Sequence, residues 1–404
     1  VSARQDKNAG QFATQLSTND ETIVAHAGRS SGHFGAVNTP VYHASTILFP
    51  TLAAYEQKAT APVRYGRRGT PTTAALEDAI SALEGAAGTV LTPSGMSAVT
   101  TTLIAHAGQG AEFLISDAVY PPVRTFCKRL NEQFGVETVF YDPCIGQDIS
   151  ALVTDRTRLI WLESPGSHTF EIQDIAAITR VARARGVTTV IDNSWSGGHF
   201  LKPFRLGVDI VVHAATKYIG GHADAMLGAI ACNDDNLGKI RKAISDFGLC
   251  AGPDDAYLVL RGFRTLVTRL KQHNENGLEV ARWLEAHPLV ERVIHPALVS
   301  HPQHALWREQ FTGASGLFGF VIKCRDRAAL GPMMDGLSYF GMGSSWGGFE
   351  SLLIPVSLDG KREVAHPAWQ GQLMRIHVGL EHPDDLIGDL DRALQRLPMA
   401  DRGA

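Results

Sequence analysis

Leu159-Ile-Trp-Leu162, then Ile175-Ala-Ala-Ile-Thr-Arg-Val-Ala-Arg-Ala-Arg185, then Thr188-Thr-Val-Ile-Asp192 follow one another along the chain. The outer two segments are short apolar runs, and the middle one has apolar residues at helical spacing. This is a strand, a crossover helix and a second strand, the unit from which parallel sheets are built. Further runs of the same kind lie at Thr89–Leu91, Glu112–Ser116, Thr138–Tyr141, Ile210–His213 and Leu227–Cys232, with helical patterns at Met96–Ala107 and Val123–Phe134. Continuous apolar strands suit a sheet covered on both faces, so the expected core is a mostly parallel, doubly wound α/β sheet with ligands at its strand ends.

Outward from this core the texture changes twice. Residues 1–69 carry turn residues, including Pro40, Pro50 and Pro62, and little helical periodicity, which reads as an arm. Helical patterning begins at Thr72-Thr-Ala-Ala-Leu-Glu-Asp-Ala-Ile-Ser-Ala-Leu-Glu84. The large domain is expected over 70–263. After Arg264 come a long helical region ending near His287, a loop rich in His and Pro, and strand-like runs at Leu317–Lys323 and Met374–Val378. These predict a smaller C-terminal α/β domain over 264–404, and a cleft between the two is a natural ligand site.

Composition excludes several classes. Of 404 residues, 44% are hydrophobic and 19% charged, the mixture of a folded globular chain. A formal net charge of -4, with no long basic run, gives no footprint for nucleic acid. The five cysteines are scattered and form no C-x-x-C pair, against a disulfide framework or zinc ribbon. No apolar stretch could span a bilayer and the start of the sequence is polar, so a cytoplasmic protein is expected. His295, His301 and His304 lack metal-ligand spacing and read as a solvated loop, with no metal expected. Gly108-Gln-Gly110 lacks the third glycine of a dinucleotide fingerprint, and Ser94-Gly95-Met96-Ser97 is not a G-x-S-x-G elbow.

Five constellations carry chemistry. In Asp209-Ile-Val-Val-His-Ala-Ala-Thr-Lys217-Tyr-Ile-Gly-Gly221, a strand delivers a lysine to its end, beside glycines that permit close backbone approach. Desolvation there would make Lys217 a nucleophile or base, as in enzymes that form Schiff bases, although a strand-end lysine is more often just exposed. Val190-Ile-Asp192 places an acid at a strand end, fit either to pair a ring nitrogen or to cap the next turn. Thr92-Pro-Ser-Gly95-Met96-Ser-Ala is a strand, turn and helix start, fit to hold phosphate or simply a capped turn. Arg64-Tyr65-Gly-Arg67-Arg-Gly-Thr70 offers arginine forks for phosphate, or a solvated basic loop. Arg375, inside the apolar run Met374–Val378, needs a partner, either a substrate carboxylate or an internal Asp or Glu.

Together these motifs resemble the Cys/Met-metabolism family of pyridoxal 5'-phosphate enzymes. The resemblance rests on Tyr65-Gly-Arg-Arg-Gly-Thr70, Leu162-Glu-Ser-Pro-Gly-Ser167, Ile191-Asp-Asn193, Ala214-Ala-Thr-Lys-Tyr218, Ser345-Trp-Gly-Gly-Phe-Glu-Ser351 and Arg375-Ile-His-Val-Gly-Leu-Glu381, and spans nearly the whole chain. It implies the aspartate-aminotransferase-like fold of type I. It also implies pyridoxal 5'-phosphate bound through Lys217, with Asp192 on the pyridinium nitrogen and Tyr120 of Ala118-Val-Tyr-Pro-Pro122 stacked on the ring. Gly95, Met96 and Thr216 would hold the phosphate. Tyr65 and Arg67 would reach it from a neighbouring subunit, so the expected partner is a second copy of this chain, in a homotetramer built from dimers. Arg375 would bind the substrate α-carboxylate, with Ser345 nearby and Trp346 shaping the pocket.

The activity implied is a carbon–sulfur lyase acting by α,β-elimination on cystathionine, giving homocysteine, pyruvate and ammonia in methionine biosynthesis. Ser344, where γ-acting relatives often carry Glu, and Trp346, where they commonly carry Leu, favour the β side. Cysteine-S-conjugate β-lyase, cystathionine γ-lyase or γ-synthase, and methionine γ-lyase are the alternatives. Many relatives carry Ser at the position of Ala214, so local hydrogen bonding departs there.

Overall fold

A computed structural model describes residues 18–364 and 369–397. Residues 1–17 of the expected arm, and residues 365–368 and 398–404 of the expected small domain, lie outside these. Seven strands form the larger sheet: β1 (Gly88–Thr92), β2 (Glu112–Ser116), β3 (Glu137–Tyr141), β4 (Thr157–Glu163), β5 (Thr188–Asp192), β6 (Ile210–His213) and β7 (Gly228–Cys232). Their order is β1-β7-β6-β5-β4-β2-β3. β3, β2, β4, β5 and β6 are parallel neighbours. α-Helices cross over between β2 and β3 (Pro121–Phe134) and between β4 and β5 (Ile175–Ala184), whereas the β3–β4 and β5–β6 connections carry only short 3-10 turns (Gly146–Ala151 and Pro203–Leu206). β7 runs antiparallel to both β6 and β1, an orientation that its local pattern does not encode.

Helices cover both faces. On one, the helices Gly95–His106, Pro121–Phe134 and Asp234–Phe247 pack on Val190, Ile210, Val212 and Ile230. On the other, Pro71–Glu84, Ile175–Ala184 and Pro253–Phe263 pack on Leu91, Ile191, Val211 and Ala229. Strand residues alternate between faces, so apolarity on both explains the uninterrupted runs.

The smaller sheet is antiparallel, in the order β10-β11-β9-β8, with β8 at Val290–Ile294, β9 at Leu317–Ile322, β10 at Leu352–Pro355 and β11 at Gln372–His377. The helices Leu266–Ala286 and Pro383–Leu394 bury Leu284, Leu386, Leu390 and Leu394 against it. Two expectations are corrected here. The arm contains the helix Asp20–His26, held where Asp20 meets Lys202 and His199 and where Arg264 donates to Val24 O and Ala27 O at the helix end. His295 and His301 are buried rather than solvated. Burial pushes them down to about 3 and about 4, so both are neutral imidazoles at neutral pH.

Candidate active site

The C-terminal ends of β4, β5 and β6 converge on Lys217. Lys217 follows β6 by a tight turn in which its N–H donates to Ala214 O at 2.9 Å and Gly221 N returns to Lys217 O at 2.7 Å. The amine is therefore fixed at a strand end and desolvated. Desolvation, with help from the Arg375 charge, brings Lys217 down to about 8. Its Nζ donates to Ser345 Oγ and lies 5.3 Å from the centre of the Trp346 ring. Ser345 holds a left-handed backbone, φ 97°, that a serine adopts only when its neighbours impose it.

Asp192 ends β5, and its carboxylate accepts Ser194 N at 2.9 Å. Desolvation raises it, while Ser194, His213 and Lys217 pull it back down. Glu163 stands beside it in register at the end of β4 and accepts Tyr120 N at 2.8 Å. Desolvation first, and then Asp192, push Glu163 well above the usual carboxylate range. Two neighbouring acids cannot both ionise cheaply; burial and Asp192 push Glu163 toward holding its proton, which favours leaving the charge on Asp192, whose own rise Ser194, His213 and Lys217 oppose. Glu163 had no assigned role in the sequence; its signal was an acid closing an apolar strand, the same signal that singled out Asp192.

Gly95 and Met96 open the helix Gly95–His106, where Ser94 and Ser97 form a capping box. The first N–H groups of a helix have no acceptor within it. A Cβ on Gly95 would stand 2.6 Å from the Ala214 Cβ, so this helix start lies directly on the turn leading to Lys217. Thr216, on that turn, exchanges hydrogen bonds between its hydroxyl and the backbone of Leu227, at 3.2 and 2.9 Å. Tyr120, half exposed, caps the front of the helix Pro121–Phe134.

Arg375 resolves one of the two alternatives left by the sequence. No Asp or Glu among the described residues forms an ion pair with it. Its Nη2 donates instead to Ser345 O at 2.9 Å and Gly343 O at 3.4 Å. Tyr65 and Arg67 are not joined to this group within the chain. Tyr65 is 45% exposed, and Arg67 reaches Ser245 O at 3.3 Å. Among the described residues, no group of three or more His, Cys, Asp or Glu is arranged to hold a metal ion, and no helix is long and apolar enough to cross a membrane. All five cysteines are free thiols.

The family profile described as "Cys/Met metabolism PLP-dependent enzyme" matches residues 21–395. Cystathionine beta-lyase MetC of Escherichia coli is 40% identical over 93% of this chain and 98% of its own. An L-alanine/L-glutamate racemase of Wolbachia pipientis is 39% identical over 94% of this chain and 98% of its own. The crystal structure of metB from Corynebacterium glutamicum superposes with a TM-score of 0.88 at 28% identity, covering 95% of this chain and 99% of that one.

Pyridoxal phosphate has three handles, an aldehyde, a ring nitrogen and a phosphate, and the residues present fit all three. Lys217 offers an amine whose basicity is already depressed. Asp192 offers a desolvated carboxylate that favours a cationic partner. The Gly95–Met96 helix start offers N–H groups and the positive end of the helix dipole. With the profile matched along almost the full chain and the fold shared with such enzymes, this chain belongs to the Cys/Met-metabolism family of pyridoxal-phosphate-dependent enzymes.

Proposed function

We propose that the chain is a carbon–sulfur lyase that cleaves cystathionine by α,β-elimination and, with the uptake of one water, yields homocysteine, pyruvate and ammonia. The observation that carries this reading is the convergence of a desolvated amine, Lys217, with a guanidinium, Arg375, that among the described residues is held by backbone carbonyls and no acid. Arg375 binds the substrate α-carboxylate, which fixes Cα against Lys217. When bound, pyridoxal phosphate supplies an electron sink that acidifies the Cα proton. Lys217 Nζ takes that proton and then delivers one to the leaving sulfur, a general base becoming a general acid at one atom. Asp192 keeps a negative charge against the ring nitrogen, and the protonated Glu163 beside it adds no competing charge. Tyr120 would cover the ring, Gly95, Met96 and Thr216 would hold the phosphate, and Ser345 and Trp346 would line the substrate side.

Within one chain Tyr65 is exposed and Arg67 reaches Ser245 O rather than the Lys217 group, which supports their service to a neighbouring subunit. The assembly proposed is a cytoplasmic homotetramer of dimers sharing active sites. The deciding experiment supplies cystathionine, cystine and methionine in competition and identifies the keto acid. Pyruvate is expected, and 2-oxobutyrate overturns the β-elimination reading in favour of a γ-acting member. Lys217→Ala is expected to abolish turnover.

A second reading, amino-acid racemisation, is favoured by the 39% identical racemase. It needs the same Cα proton removed and returned on the other face, so D-alanine formed from L-alanine without keto acid would select it.

A further inference from the structure

The loop 343–351 lies along β11 and the turn that follows it, held by side chains rather than by a strand ladder. Arg375 takes Ser345 O and Gly343 O. Two residues on, the His377 ring meets Gly347 N at 2.9 Å through Nε2 and Glu350 O at 3.1 Å through Nδ1. Past the strand end, Leu380 N donates to Phe349 O at 2.8 Å, and Glu381 accepts Ser351 N and Oγ at 2.8 and 2.9 Å. Alternate residues of a strand share a face, so Arg375 and His377 project together into the loop.

The loop needs such support at its centre. Ser345 and Gly347 both have left-handed backbones, with φ of 97° and 88°. A Cβ on Gly347 would stand 2.8 Å from Tyr218 N and 3.0 Å from the Lys217 carbonyl carbon, so the loop rests directly on the backbone that bears Lys217. Its height there decides where Ser345 Oγ meets Lys217 Nζ.

The chemistry of the contacts also fixes the His377 tautomer. An N–H can only donate, so Nε2 facing Gly347 N is the acceptor, and Nδ1 carries the proton that goes to the Glu350 carbonyl. Protonating Nε2 would turn the first contact into two donors facing each other. His377 is 1% exposed, with the Tyr218 and His273 rings packed 5.8 and 5.3 Å from its own. Burial and His273 hold it well below the usual histidine range, so the acceptor persists at neutral pH.

We infer that His377, as its neutral Nδ1–H tautomer, is a positioning residue that sets Ser345 and Trp346 against Lys217 by holding Gly347. The inference rests on the reading of Lys217 as the base and Arg375 as the carboxylate anchor. Two isosteres separate its halves. His377→Gln puts an amide oxygen where Nε2 lies and can still accept from Gly347, whereas His377→Asn reaches only the Nδ1 position.

In the purified holoenzyme, Gln is expected to keep kcat/KM within about threefold. Asn and Phe should lose about tenfold, the effect of one net hydrogen bond. A second readout is the pH midpoint of the bound cofactor's visible absorbance, which senses the Lys217 nitrogen; it should move in Asn and Phe and stay in Gln. Equal losses in Gln and Asn, wild-type behaviour in Phe, or a Gln variant that melts early or shifts that midpoint each overturn the inference. If Asn and Phe do not fold, the Gln variant decides alone by the same criteria. An unexpected keto acid from the wild type would sink the β-lyase reading while leaving the ratio of Gln to Asn intact.

Discussion

Asp117→Asn removes one charge from a buried knot that ties the connection between β10 and β11 to the larger sheet. Asp117 follows β2, and its side chain is 0% exposed. Arg124 Nη2 approaches one oxygen at 2.5 Å and Arg362 Nε the other at 3.2 Å, and the two arginine side chains are only 4% and 2% exposed. Glu363 N and Val364 N also donate to this carboxylate, at 2.9 and 3.0 Å. In the Asn variant, Arg124 keeps Glu363, which is 49% exposed, and the backbone carbonyl of residue 117, while Arg362 keeps Glu171, which is 16% exposed, and Thr169 Oγ1. Breaking a buried pair costs about 3–5 kcal/mol because a charge is left uncompensated. Two buried arginines are affected, but each retains a weaker partner, so the expected loss is about 4 kcal/mol.

Arg362→Met should cost less, about 3 kcal/mol, because Asp117 retains Arg124 and the two backbone N–H groups. The double variant should fall short of the sum, since both act on one network. Equilibrium urea unfolding of the three variants measures this through the shift in midpoint. A loss under about 1 kcal/mol for Asp117→Asn, or a larger loss for Arg362→Met, would refute the reasoning.

Two further outcomes follow from the charges around Lys217. Capture of pyridoxal phosphate by the apoprotein needs the free amine, so its rate, followed by visible absorbance, should rise with pH through a midpoint of about 8, where an ordinary lysine would respond nearer 10.5. Arg375→Met should raise KM by about 10- to 100-fold, the effect of one charged hydrogen-bonding partner. It should also move the capture midpoint upward, because the Arg375 charge is one of the causes that lower Lys217. An unchanged KM would remove Arg375 from substrate binding.

The larger sheet was legible because strands buried on both faces are written as unbroken apolar runs, and all seven expected segments fall on β1–β7. Direction was not: Leu227–Cys232 looks like any other buried strand, and only its pairing shows that β7 runs against its neighbours. In the smaller sheet, β8 was missed because Val290-Glu-Arg-Val-Ile294 has two exposed charges, and β10 because four residues ending in Pro355 are too short to show alternation. At the site, Lys217, Asp192 and Arg375 were conspicuous as charges in apolar strands. Glu163 and His377 were equally anomalous. They were passed over because what they do is hold backbone, at Tyr120 N and Gly347 N, and a backbone partner leaves no mark in a sequence.

The charges of the site explain why these particular groups are brought together. Of two carboxyls at adjacent strand ends, Glu163 is pushed well up by burial and by Asp192, which favours leaving the negative charge on Asp192. Against it stand Arg375, whose partners Ser345 O and Gly343 O are neutral, and the Lys217 amine, which the Arg375 charge itself helps to deprotonate. With Lys217 deprotonated, the negative Asp192 and the positive Arg375 cancel, and it is Arg375, whose partners here are neutral dipoles, that favours an anionic ligand in this desolvated setting. Burial is the larger cause that holds Lys217 down, but an amino-acid carboxylate at Arg375 would offset the second, the Arg375 charge, and so raise the basicity of that amine. By this route, substrate binding would strengthen the base at the moment when the Cα proton must be taken.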